Sequence, residues 1–143
     1  MYNSIITTVK SVRICVLSST LFLLNAVICR HYGLRIYSAL FLVLTATSVL
    51  YHTHPGSRMY NILDKLAVLA VVLYGGYTFY DNWAKYTQMA RTLIVATFAS
   101  TIVLFSGGYA FGVFCYDPVW NNVWHSILHG ISVLGHALIV VLV

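Results

Sequence analysis

The chain is written in long apolar stretches separated by short polar ones. Apolar runs centred near Leu21, Leu42 and Leu69 are bounded by single charges, and two further stretches, Thr92 to Tyr116 and Pro118 to Val143, contain no Asp, Glu, Lys or Arg at all. Each of the last two exceeds the ~20 residues a helix needs to cross the hydrocarbon core of a bilayer. The charges flanking the other three can snorkel to the interface. The pattern predicts five helices, at roughly 12–30, 34–52, 61–80, 91–113 and 119–142. The connections "RHYG", "HPGS", "YDNWAKY" and "CYDP" carry turn chemistry. Pro55–Gly56 marks a tight reversal, and Pro118 suits a first helical turn, where its missing N–H costs nothing. The expectation is an all-α, polytopic transmembrane bundle of about five spanning helices, one domain over residues 1–143.

Polar positions within the helices fall into stripes. On the fifth helix Asn122, His125, His129, Ser132 and His136 recur at alternating spacings of three and four, which places them on one face. On the second, Thr45, Ser48 and His52 do the same, and Asp64 is expected in the first turn of the third. A polar face this long on an apolar helix should look into the bundle and away from lipid. With helices alternating in direction, the end of helix two and the starts of helices three and five lie on one side. Ser48, His52, Asp64, His125 and His129 then share one face at similar depth.

Composition sharpens the class. Of 143 residues 60% are hydrophobic and 8% charged, against about a quarter charged in soluble domains. The net charge of +5 is spread thinly, so no basic stripe supports nucleic-acid binding; it fits loop cations beside anionic head groups. Lys10, Arg13, Arg58 and Lys65 on the histidine side balance Arg30, Arg35, Lys85 and Arg91 on the other, so the positive-inside rule assigns no orientation. Cys15, Cys29 and Cys115 form no C-x-x-C pair and read as packing residues rather than a disulfide framework. "NAVICR" offers no small-x-small cleavage site, so the first helix is expected to be retained. Trp83, Trp120 and Trp124, with several tyrosines, fall at helix ends as an interfacial belt.

The stripes suggest a metal. His125 and His129, four apart on a helix, can grip one ion, as the i,i+4 pair of helical zinc proteases does. With His52 they supply three neutral nitrogens, the usual protein complement of a catalytic zinc whose fourth position is left to water. Asp64 would hold or deprotonate that water, whose pKa the metal lowers. Ser48 would hydrogen-bond the water or polarise a substrate carbonyl. The competing view of Asp64 is a helix N-terminal carboxylate favoured by the dipole. His31 and His54 read as solvated loop residues, and His136 as a buried hydrogen bond or a proton path. Gly75–Gly76 and Gly107–Gly108 read as close helix packing. Two other functional readings stay open. One is a haem-binding bundle with His52 facing His125 or His129, which leaves Asp64 and the third histidine unused. The other is a non-catalytic membrane protein whose stripes serve packing or partner binding.

"SVLYH" (48–52), the Asp of "NILDK" (Asp64) and "HSILH" (125–129) together resemble the CREST superfamily of membrane hydrolases, which contains alkaline ceramidases, progestin/adiponectin receptors and lipases that remodel GPI anchors. Their shared pattern is S-x-x-x-H near the end of helix two, Asp at the start of helix three and H-x-x-x-H at the start of the last helix. The resemblance implies a Zn²⁺-dependent hydrolase of lipid amide or ester bonds, acting on ceramide or another acyl lipid reached from the bilayer. It assigns His52, His125 and His129 to the metal and Asp64 and Ser48 to catalysis. It covers helices two, three and five. The family typically has seven spanning helices where five are predicted here, and "MYNSIITTVK" does not match the acidic N-terminal calcium-binding segment of alkaline ceramidases.

Overall fold

A computed structural model describes residues 12–110 and 118–143, and among them every long element is a helix. The helices are α1 (Val12–His31), α2 (Arg35–Thr53), α3 (Arg58–Asp81), α4 (Gln88–Ala110) and α5 (Pro118–Val141), with one 3₁₀ turn at Trp83–Lys85 between α3 and α4. All five contain stretches long and apolar enough to cross a membrane, which fits a multi-pass membrane protein. Large apolar side chains such as Leu17, Val27, Ile36, Leu42, Leu73 and Val103 point outward, a surface that suits lipid rather than water.

The turns explain the boundaries. α1 ends in a Schellman motif: Gly33 takes a left-handed φ of 78°, Leu34 N–H donates to Cys29 O at 2.8 Å, and Gly33 N–H donates to Arg30 O at 3.2 Å. A side chain at position 33 would strain that backbone. After α2, Pro55 and Gly56 form the corner of a β-turn closed by Ser57 N–H to His54 O at 2.9 Å. Ser57 then caps α3 through Tyr60 N–H at 3.4 Å. The cap starts α3 at Arg58, earlier than the apolar run suggests, so Asp64 sits in the second helical turn and no acid occupies the first. That placement corrects the expected first-turn position. It also removes the dipole reading of Asp64, because the dipole's influence fades beyond the first turn. α4 likewise begins at Gln88, with the Thr87 hydroxyl accepting from Ala90 N–H at 3.2 Å. Cys115, Tyr116 and Asp117 of the connection "CYDP" and the expected end of helix four lie outside the described residues, while Pro118 opens α5 as expected.

The helices pack α1 on α2, α2 on α3 and α4 on α5, with α5 also against α1 and α3. The core they enclose is built from Phe22, Ala26 and Cys29 of α1, Tyr37, Phe41 and Leu44 of α2, Ala67 and Val71 of α3, and Val133 and Val140 of α5. Gly75 marks the closest approach: a Cβ there would lie 2.5 Å from the Tyr37 hydroxyl and 2.9 Å from the His136 ring, so α3 admits only glycine between them. The expected packing role of Gly75 is met, whereas a Cβ on Gly76 would meet nothing within 4 Å. A smaller cluster of Tyr86, Ala90, Ile94 and Ile139 joins α4 to the far end of α5. Cys15 and Cys29 are free and buried, as packing residues should be.

Candidate metal centre

The polar stripes do turn inward. His52 occupies the last turn of α2, one turn beyond Ser48, and the tight hairpin brings the start of α3 beside it. α5 crosses the same end of the bundle carrying His125 and His129. One ring nitrogen from each of His52, His125 and His129 lies within 4.8 Å of the others, and among the described residues these three form the group that could hold an ion. The ring centroids are 5.0 Å apart for His52–His125, 5.5 Å for His52–His129 and 4.6 Å for His125–His129. Tetrahedral zinc with Zn–N bonds of ~2.0–2.1 Å sets its nitrogens roughly 3.3 Å apart. The trio therefore needs a contraction of order 1.5 Å, within reach of small rotamer adjustments. The donor set fits a zinc ion.

Orphaned polar atoms point the same way. Three buried side-chain atoms lack a hydrogen-bond partner among the described residues: His52 Nε2, Asp64 Oδ1 and Asn25 Oδ1. Buried polar atoms normally find partners, and an orphan calls for a reason such as a missing ion or a catalytic role. Two of the three belong to the expected site. Asp64 does not join the histidines as a candidate ligand; the Ser48 side chain lies near its carboxyl. Ser48 is 2% exposed, and its hydroxyl lies 3.0 Å from that of Ser19.

The first helix contributes more than the sequence reading allowed. Ser18 Oγ is 2.9 Å from His129 Nδ1, and Ser18 and Ser19 both donate to Cys15 O, at 3.0 and 2.8 Å. Adjacent residues on a helix point about 100° apart, so one serine faces α5 and the other α2. Serine hydroxyls bonding back to their own helix distort it. Directly after them Thr20 N–H and Leu21 N–H bond three residues back, to Leu17 O and Ser18 O, at 3.1 Å each. Phe22 closes the side of the site, edge-on to His129 at 5.1 Å. A signal for these residues was present: Cys15, Ser18, Ser19, Phe22, Asn25, Ala26 and Cys29 recur at helical spacing and all are buried.

The remaining histidines separate. His54 and His31 are exposed at helix ends, as expected. His136 lies seven residues beyond His129, ~10 Å along α5, and its Nδ1 is hydrogen-bonded to the Tyr37 hydroxyl. It takes the buried hydrogen-bond role and stands apart from the metal candidates. Ser132 lines a crevice of about 270 Å³ between α3, α4 and α5 rather than the histidine cluster. No protein-family model, curated protein or solved structure matches this chain.

Proposed function

We propose that the protein is an integral membrane, zinc-dependent hydrolase of lipid amide or ester bonds, of the kind that the CREST-like pattern implies. The observation that carries this reading is the convergence of His52, His125 and His129 at one end of the bundle, with Asp64 and Ser48 beside them. Zinc held there would polarise a substrate carbonyl and ease deprotonation of water near neutral pH.

The chain's own groups take the remaining roles. The three imidazoles hold the ion in their neutral form. Asp64, through the oxygen that has no partner, accepts a proton from the attacking water and returns it to the departing amine or alkoxide. Ser48 stands beside the Asp64 carboxyl and would orient the water or the substrate carbonyl. The substrate enters sideways from the bilayer, with its acyl chains remaining among the apolar helices. Ceramide and other acyl lipids are the substrate class that this entry and chemistry favour.

The test is elemental analysis of detergent-purified protein beside the His125→Ala/His129→Ala double variant, followed by hydrolysis assays on ceramides and other acyl lipids. Near-stoichiometric zinc in the wild type alone, and hydrolysis abolished by a chelator, are expected. A folded, zinc-supplemented wild type that binds no metal, or activity that survives metal removal, overturns the proposal.

A further inference from the structure

We infer that Ser18 is a positioning residue for the metal site: it accepts the Nδ1 proton of His129 and so turns the Nε2 lone pair toward the ion. The inference rests on the zinc reading above and extends it to a helix that the sequence motif does not touch.

The Ser18 hydroxyl has one hydrogen and two neighbours, Cys15 O at 3.0 Å and His129 Nδ1 at 2.9 Å. A carbonyl oxygen can only accept, whereas a neutral imidazole carries its proton on either nitrogen. If Ser18 donates to Nδ1, the imidazole proton must sit on Nε2, and His129 has no lone pair left for a metal. If Ser18 donates to Cys15 O, it accepts Nδ1–H, and Nε2 is free. Only the second order is compatible with ligation. Cys15 O therefore completes a relay from imidazole N–H to serine to backbone carbonyl, and such partners commonly fix the tautomer and ring direction of metal-binding histidines.

The surroundings leave this bond little competition. His129 is buried and Phe22 packs on its ring at 5.1 Å. Ser18 is itself buried and 111 positions away in sequence. Ser19, on the same carbonyl, faces Ser48 at 3.0 Å instead. It provides an internal control of nearly equal local chemistry that does not touch the histidine.

The inference is testable without turnover. In metal-free wild type, long-range ¹H–¹⁵N correlation of ¹⁵N-histidine-labelled protein should show His129 protonated at Nδ1. Ser18→Ala should lose that preference, Ser18→Thr should restore it, and Ser19→Ala should leave it in place. Zinc affinity, read by chelator competition, should fall roughly 10–100-fold in Ser18→Ala and recover in Ser18→Thr. An Nε2–H tautomer in the wild type overturns the inference, as does a Ser18→Ala protein with unchanged tautomer and zinc affinity. A wild type that binds no zinc overturns the metal reading as well. Zinc bound equally by wild type and Ser18→Ala removes only the role of Ser18.

Discussion

The two flanks of the bundle are built on different rules. α1, α2 and the buried face of α5 meet along a seam of polar groups, from the Ser18–His129 and Ser19–Ser48 pairs through Asn25, whose amide donates to Val133 O at 3.1 Å, to Tyr37 and His136. α4 packs chiefly on α5 and presents mostly apolar side chains outward. In the most apolar 18-residue window, 39% of residues are buried in α1 and 11% in α4. Lipid tails are as apolar as leucine, so apolar burial drives helix association weakly here, and close packing and hydrogen bonds take over. The seam has both. The α4 flank has its short contact at Gly135, where a Cβ would stand 3.0 Å from Thr97 Oγ1, and its clamp at Tyr86, whose hydroxyl donates to Ile139 O at 2.6 Å. Specific contacts thus hold the candidate site, while the opposite flank is left largely to the bilayer.

That contrast can be broken in order of size. The largest effect should come from Asp64→Asn, which keeps the hydrogen-bonding shape but cannot act as a base. Lipid hydrolysis should drop by ~10²–10⁴ while elemental analysis still finds zinc; loss of both together would make Asp64 a ligand instead. Next is Gly75→Ala, which pushes a methyl group onto Tyr37 and His136. Equilibrium unfolding in detergent should register a loss of ~1–3 kcal/mol, the usual cost of overpacking. Gly135→Ala meets only the Thr97 side chain, at 3.0 and 3.3 Å. It should cost about 1 kcal/mol or less, and adding Thr97→Ala should recover most of it. The smallest effect belongs to Val103→Ala on the outer face of α4, 68% exposed. A change within ~0.5 kcal/mol is expected there, and a loss comparable to that of Gly75→Ala would mean that the flank is packed after all.

The fold and half of the candidate site were legible in the sequence for one reason: polar residues stand out against an apolar background. His52, Ser48, His125 and His129 could be assigned to faces by spacing alone, and alternation of helix direction put them on one side. The depth of Asp64 was misjudged because hydropathy marks where a helix becomes greasy, whereas Ser57 and the Pro55 turn decide where it begins. Ser18 and Ser19 escaped for a different reason. Serines are common in spanning helices as back-bonding or packing residues, and the partners that distinguish these two lie 111 and 29 positions away. Several tyrosines were expected in the interfacial belt, yet Tyr37 and Tyr86 are buried, with hydroxyls bonded to His136 and to Ile139 O. An aromatic ring with a polar tip suits either place, and only its neighbours decide.

The Tyr86 clamp also has a mechanical meaning. It fastens α4 at the end remote from the histidines, where Arg91 additionally covers the Trp83 ring at 4.6 Å and donates to its carbonyl at 3.2 Å. At the histidine end, Ile102, Val103 and Phe105 face outward. A rod held at one end turns displacement into leverage: over the ~30 Å from the clamp to Gly107, a tilt of 10° moves the far end by about 5 Å. That is roughly the width of an acyl chain. The hydrogen bond that secures α4 is therefore also the pivot about which its far end can part from α5.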